Sequence, residues 1–500
     1  MKRSMIKRAF AGSLLLGALL VLAGCSLAPT YEVPAAATPT AFKETAPLPA
    51  SGAGNWKTAQ PSEATARGEW WKVFADPKLD ELEQQAQDAN QNLRAAAARV
   101  KEARALNQAA RAGLFPTLDA GFGPTRQKVS AASQFQPDGA NVPQQTFWRA
   151  QASASYEVDL FGRVASNVDA AKADTQQSEA LFRSVLLALQ ADVAQNYFAL
   201  RELDAEADVF SNAVQLREQA LKLVQRRFAE GDITELDVQR AQAELATARS
   251  DAMTVQRLRA ASEHSLAVLL GKAPAEFSLV PTPLQPVNLR VPPGLPSALL
   301  ERRPDVAAAE RAMAAANARI GVAKAAFFPS LTLTGTGGFE SATLGDLFKW
   351  SSRAFLLGPL AGTALNVPIF DGGRRKGNLA NARAVYEEDV ANYRQQVLNA
   401  FREVEDNLSD MRILEAQTQA QSDAVNASQR AADLSRTQYT EGAVDYLNVI
   451  DAQRSVLQAK RAAVQLQGVQ AAATVNLIRA LGGGWGDAAP AAMLPPFAQK

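Results

Sequence analysis

Residues 228–242, FAEGDITELDVQRAQ, and residues 439–453, YTEGAVDYLNVIDAQ, are two copies of one turn. Glu230-Gly231, Leu236, Val238 and Ala241-Gln242 of the first stand at Glu441-Gly442, Leu447, Val449 and Ala452-Gln453 of the second, 211 positions on (442 − 231). Leu270-Gly271 returns as Leu481-Gly482 at the same offset. Upstream, Phe115-Pro116 returns as Phe328-Pro329 and Leu160-Phe161 as Ile369-Phe370, at offsets of 213 (328 − 115) and 209 (369 − 160). Solenoid units repeat every 20–50 residues or so, so this is a duplicated half-protein. Both halves read helix, hairpin, very long helix, turn, helix.

Working outward from the turns, each is preceded by a stretch that nothing interrupts. From Arg163 to Ala229 there is neither Pro nor Gly, and Asn378 to Glu441 is equally clean. At 1.5 Å per residue each predicts a helix of roughly 100 Å. Helices of that length need lateral partners. Their Ala-rich, Gln-rich composition with a thin apolar stripe suits close helix-on-helix packing in a coiled-coil wall. Gly231 and Gly442 end them, and shorter helices return over about Glu235–Leu270 and Tyr446–Leu481. Two further helices are expected over Pro77–Ala112, opened by Asp76 as N-cap and Pro77 at the first helical position, and over about Ser297–Ala326.

Between the helices lie strand patterns. From Phe147 to Leu160, Trp148, Ala150, Ala152, Ala154, Tyr156, Val158 and Leu160 alternate with Arg149, Gln151, Ser153, Ser155, Glu157 and Asp159. Period two sends these sets to opposite faces of a sheet. Thr117–Arg126 is the partner, with Leu118, Ala120 and Phe122 on its apolar side. In the second half Leu331, Leu333 and Phe339 alternate with threonines, and Leu357–Ile369 is a looser fourth strand containing Gly358, Pro359 and Gly362. Such segments fit either a transmembrane barrel or a soluble sandwich with one wet face. After the N-terminus no apolar run reaches 18 residues, so a membrane crossing would have to be made by strands. Four strands cannot enclose a lumen; two copies would supply eight and three copies twelve.

Lys2, Arg3, Lys7 and Arg8 precede a short apolar run from Ala9 to Leu22, the pattern of an export signal too short to span a bilayer. The following Leu22-Ala23-Gly24-Cys25 resembles a bacterial lipobox, which implies cleavage before Cys25, lipidation there and, with Ser26 next, an outer-membrane destination. Cys25 is the sole cysteine, so no intrachain disulfide is possible. The formal net charge of +1 gives no case for nucleic acid. One His and one Cys make neither a His/Cys metal cluster nor a Cys–His nucleophile pair, and His264 sits in a helix of Ala, Ser and Leu. Gly482-Gly483-Gly484 follows a helix and reads as its stop. No enzyme, cofactor or metal is indicated, apart from the covalent lipid on Cys25.

Four passages carry a family resemblance. They are Trp70-Trp71-Lys72-Val73-Phe74 into Asp76-Pro77-Lys78-Leu79, and Tyr156-Glu157-Val158-Asp159-Leu160-Phe161-Gly162. The others are Arg303-Pro304-Asp305-Val306 through Ile320-Gly321 to Phe328-Pro329-Ser330-Leu331, and Glu441-Gly442 through Tyr446-Leu447 to Asp451-Ala452-Gln453-Arg454. Their order, spanning about residues 68–485, resembles the TolC/OprM outer-membrane efflux family and its lipidated OprM/NodT branch. The resemblance implies a mixed, mainly α fold: a homotrimer with a twelve-stranded outer-membrane barrel, four strands per chain, continuous with a periplasmic helical barrel and an α/β belt. It implies a signal peptide (1–24), a lipidated tether (25–68), two structural repeats (69–285 and 286–485) and a tail (486–500). It implies an exit duct for drugs and other small molecules, partnered by a periplasmic adaptor and an inner-membrane pump of the resistance-nodulation-division type, in contact with outer-membrane lipid. A type I protein-secretion outlet shares the tube and is the alternative; a soluble periplasmic coiled-coil scaffold is a more distant one.

By motif, Asp451 matches the family's constricting aspartate, Leu447 its apolar ring residue, and Asn448 stands where a second aspartate constricts the tunnel. Three such side chains around an axis can attract cations or close a bore by dewetting. Tyr439 and Asp237 match a tyrosine–aspartate latch whose arginine position is here Val444, so the ionic half is missing. Gly231 and Gly442 match the turn glycines that adaptors approach, and each serves equally as a plain helix cap.

Overall fold

The computed structural model describes residues 27–35, 39, 42–44, 57–58, 69–128, 130, 132, 135–137, 141–287, 289–290, 302–357 and 365–483. Cys25, the export signal and the tail lie outside the described residues. The chain divides into two compact units, one of residues 1–34, 101–177 and 309–393, the other of residues 35–100, 178–308 and 394–500.

The duplication is visible element by element. Helix α3 (Arg163–Ala229) and helix α6 (Arg374–Thr440) are each 67 residues long, and each is followed across a tight turn by a 35-residue helix, α4 (Glu235–Leu269) or α7 (Tyr446–Ala480). Helix α6 starts four residues before the expected Asn378, because Gly377 lies inside the helix, its N–H bonded to Gly373 O at 2.9 Å. The start is set instead by Asp371, which accepts from the N–H groups of Gly373 and Arg375, both at 3.1 Å. These bonds and the charge of Arg375 hold the Asp371 carboxyl below the ordinary aspartate range, against the burial that opposes ionisation.

The expected helix over Pro77–Ala112 is two helices, α1 (Pro77–Ala89) and α2 (Gln91–Ala112). Asp76 caps α1 as the sequence implies, accepting from Lys78 N at 2.9 Å. The break falls at Asn90, which is extended (φ −62°, ψ 127°). Its Oδ1 caps α2 through Leu93 N at 3.0 Å, while its Nδ2 donates to Leu269 O at the end of α4. A Cβ on Gly271 would stand 2.5 Å from Ala89 O, so a glycine is needed where α4 ends against this break.

Glu83 of α1 is fully buried beside Leu79, Leu82 and Ala86 of the same face, and neither carboxylate oxygen has a hydrogen-bond partner. Burial, and secondarily Asp80, pushes its carboxyl well above the usual range. A carboxyl whose pKa rises on folding stabilises fully below the unfolded value and loses that contribution as pH climbs through the folded value. Glu83→Gln should therefore raise the melting temperature at pH 9 and leave it unchanged at pH 4, read by differential scanning calorimetry.

In the second unit, the Arg303-Pro304-Asp305 passage opens helix α5 (Pro304–Ala325) and works as a clamp. Arg303, 6% exposed, grips Asp305 through two hydrogen bonds of 3.0 and 2.6 Å, Glu403 at 2.7 Å, and the Ala480 carbonyl at the end of α7 at 3.1 Å. Burial opposes the Asp305 charge, but the guanidinium outweighs it and keeps the carboxyl below its ordinary range. The proline-rich link after α4 is pinned by Asp204, which accepts from Thr282 N at 2.9 Å and from Arg259 at 2.6 Å. Strand β1 (Lys57–Thr58) runs parallel to β4 (Leu289–Arg290), joining tether and link in a small sheet. In the first unit the start of the tether lies on α5: Asn317 donates to Pro29 O at 2.8 Å, and Ala28 fills the space over Gly321 that a Cβ would take.

The first unit also holds the main sheet, β2 (Thr117–Gln127), β3 (Gln145–Val158), β5 (Ser330–Ser341) and β6 (Arg353–Leu357), antiparallel in that order, with β7 (Leu365–Asn366) on the same edge of β5. Register keeps like with like: Leu118 opposes Ala154, Phe122 opposes Ala150, Tyr156 opposes Leu333 and Ala150 opposes Phe339. On the other face Arg149 opposes Glu340, and the two form an ion pair at 2.5 Å. Two boundaries differ from expectation. Strand β3 stops at Val158, because the Asp159 side chain turns to cap α3 through Ala165 N at 2.7 Å. The fourth strand is the pair β6 and β7, starting at Arg353 rather than Leu357. The apolar face is bare, with Leu118 76%, Phe122 66% and Phe355 80% exposed. Among the described residues no helix is long and apolar enough to cross a membrane.

Candidate functional site at the hairpin tips

The two turns are built alike. Gly231 (φ 83°) and Gly442 (φ 76°) occupy the left-handed position past the ends of α3 and α6. Gly231 N–H bonds Phe228 O and Asp232 N–H bonds Arg227 O; at the other tip Gly442 bonds Tyr439 O and Ala443 bonds Gln438 O. This is a Schellman cap, which satisfies the last carbonyls of each long helix. No atom lies within 4 Å of a Cβ added at either glycine, so backbone conformation alone selects the residue.

The first turn of α7 divides its side chains by role. Tyr446, Val449 and Ile450 are buried, whereas Leu447, Asn448 and Asp451 are exposed. Spacings of three and four put the last three on one helix face. Leu447 is 43% exposed, and the Asp451 side chain 63%. The structure thus brings the three sequence-predicted gate residues together on one bare surface.

The two residues of the expected latch, Tyr439 and Asp237, are not bonded to each other. Tyr439 is 6% exposed, but its hydroxyl has no hydrogen-bond partner. Its ring packs on Tyr446 at 5.4 Å between centroids, with the Arg227 guanidinium 4.9 Å over its face. Asp237 turns to its own helix, accepting from Thr234 at 3.2 Å and pairing with Arg240 at 3.5 Å. No Tyr439–Asp237 bond forms within the chain: Asp237 is held by Thr234 and Arg240, and the buried Tyr439 hydroxyl is left without a hydrogen-bond partner. Val444, at the missing arginine's position, is partly buried against a core of Val224, Val238, Ala241, Tyr439, Tyr446, Val449 and Ile450. Both hairpins are therefore joined by an apolar seam. Burial, with Tyr439 and Glu244 adding to it, pushes the Tyr446 hydroxyl up to about 12, so it stays neutral.

Above the seam lies a network that the sequence did not point to. Glu244 of α4 is 8% exposed. It pairs with Arg217 of α3 at 3.2 Å and accepts from Arg454 of α7 at 3.0 Å. Arg217 also donates to the Glu244 carbonyl at 3.1 Å. Arg454 lies 3.5 Å from Asp451, so the chain of charges runs Asp451–Arg454–Glu244–Arg217 across both hairpins. The only prior signal was a glutamate flanked by apolar heptad-like positions in α4; its partners are 27 and 210 residues away in sequence. His264 is exposed on α4 and joins none of this.

A sheet with one bare apolar face, and paired 67-residue helices ending in matched tips with an exposed leucine–aspartate face, define a membrane-channel subunit of barrel-and-hairpin type. Residues 82–272 and 295–483 each match the outer membrane efflux protein family, once per half. The chain belongs to that family. It is 36% identical to the toluene efflux pump outer membrane protein TtgF of Pseudomonas putida, over 93% of this chain and 95% of that one. It is 36% identical to outer membrane protein OprJ of Pseudomonas aeruginosa, over 97% and 98%. The solved structure of the outer-membrane channel OprN superposes with a TM-score of 0.83 at 29% identity, covering 92% of this chain and all (100%) of that one. The protein is an outer-membrane channel component of an efflux system, and its sheet is one chain's share of the barrel.

Proposed function

We propose that three copies form a duct for drugs and other small molecules, closed at its periplasmic mouth by rings of Leu447, Asn448 and Asp451. The observation that carries this reading is the single exposed face those residues share beside a buried seam. Three-fold symmetry turns the face into stacked rings, apolar at Leu447 and anionic at Asp451. The amide of Asn448 in place of a carboxylate leaves one charged ring fewer. The seam and the Glu244 network take the part of the absent latch arginine. An adaptor approaching Gly231 and Gly442 would meet both tips at once and could separate them, with a resistance-nodulation-division pump supplying cargo. Cys25 carries the lipid, anchoring the mature chain without building the channel.

Native mass spectrometry of the detergent-purified protein should show three chains per particle, each beginning at Cys25 with a lipid mass increment. Particles that conduct ions as single chains, or mature chains without lipid, would contradict the respective parts of the proposal.

A further inference from the structure

The apolar face of the sheet changes character at one end. On β2 this face carries Leu118, Ala120 and Phe122, and then Arg126. On β6 it carries Phe355 and then Arg353, which lies opposite Phe339. Both arginines are exposed, and Arg126 has no acidic partner among the described residues. They share an end: β2 follows α2 and β5 follows α5, so Gln127 and Ser341 finish the strands away from the helices, and Arg353 begins β6 there.

An arginine on the lipid side costs about 2–4 kcal/mol at the bilayer midplane and little at the interface, so these two mark headgroup level. Aromatic rings mark the same level. Trp148 pairs with Pro124, one step inward of Arg126, and Trp350 is 76% exposed beside Arg353. The Arg353 guanidinium lies over the Trp350 ring and donates to its carbonyl at 2.9 Å, which fixes the head while leaving other N–H groups free. A planar guanidinium with free donors above aromatic rings fits a phosphate oxygen set over an acyl chain.

β2 and β6 are also the outer strands of the sheet. Closing several copies into one barrel must pair the β6 edge of one protomer with the β2 edge of the next. Closure therefore brings Arg353 and a neighbour's Arg126 to the same rim of one seam.

We infer that Arg126 and Arg353 form an outward-facing site at each subunit seam for the phosphate groups of an anionic outer-leaflet lipid, so that phosphorylated lipid bridges the protomers. The inference rests on the barrel reading. Each arginine near an anionic lipid surface is worth a factor of about five in binding, so losing both should weaken retention about 25-fold.

The test mixes detergent-purified channel with diphosphoryl lipid A or with lipid A stripped of both phosphates, and counts retained lipid by native mass spectrometry. The parent should keep the phosphorylated form selectively. Arg126→Gln/Arg353→Gln should lose it while the oligomer peak persists, and Lys101→Gln on α2 should behave as the parent. Equal retention of the two lipids, or undiminished retention by the double variant, would overturn the site; loss of the oligomer in the parent would instead indict the barrel reading. If the glutamine pair does not assemble, Arg126→Lys/Arg353→Lys is tested against salt. Binding that falls steeply from 50 to 500 mM NaCl supports a charge site, as screening requires, and binding indifferent to salt overturns it.

Discussion

Replacing Leu447 and Asp451 together with alanine is expected to raise single-channel conductance in planar bilayers by about an order of magnitude and to admit large antibiotics such as vancomycin into cells. Leu447 presents a 43% exposed side chain with no packing partner in the buried seam, so its removal leaves the protomer's core intact. What it takes away is the apolar ring that excludes water from a narrow bore. Asp451 alone should act differently. Its carboxylate is 63% exposed and only loosely tied to Arg454 at 3.5 Å, so Asp451→Ala should chiefly reduce preference for cations. Trimers that remain intact in the double variant with unchanged conductance and selectivity would place the gate elsewhere.

The second large effect is expected at Glu244. Truncation to alanine leaves Arg217, whose side chain is 8% exposed, buried without its carboxylate and frees Arg454 from the other hairpin. Breaking a buried pair from one side costs about 3–5 kcal/mol, more than an apolar seam of seven residues can absorb unnoticed. Backbone hydrogen exchange in the first turns of α4 and α7 should accelerate by about two orders of magnitude or more if that opening is local. The channel should leak with both gate residues in place. Arg454→Ala is the control: its side chain is 58% exposed, and an exposed pair contributes about 0–1 kcal/mol. Equal protection in parent and Glu244→Ala would show that the seam alone holds the tips.

The sequence disclosed most where local chemistry decides structure. Gly231 and Gly442 mark positions only glycine adopts easily, and the uninterrupted run from Arg163 fixed the whole of α3 to the residue. Period-two alternation put the apolar residues of β2, β3 and β5 on one face, because successive side chains along a strand point to opposite sides of the sheet. It failed where one residue plays two parts. Asn90 reads as an ordinary helix residue until Leu269 O comes within reach of its amide. Gly377 reads as a breaker, yet the cap three-dimensionally set by Asp371 carries the helix through it. Residues 358–364, with their glycines and proline, gave no period to follow.

At the tips the gate residues were legible by motif, and the restraint on them was not. Val444 shows in the sequence as a missing arginine, but its replacement by an apolar seam depends on Val224 and Tyr446 meeting across the turns. Glu244 finds Arg454 at a separation of 210 residues, which no spacing rule reaches. The buried, unpartnered Glu83 is likewise a product of packing, since its neighbours in sequence mark it as one more polar helix position.

Efflux measured in cells tests the central claim most directly. Cells lacking this chain, preloaded with a fluorescent lipophilic dye and then energised, should retain the dye, and restoring the parent chain should restore its exit. Dye leaving equally fast with and without the chain, while secretion of a protein substrate depends on it, would contradict a small-molecule duct and favour the type I secretion outlet.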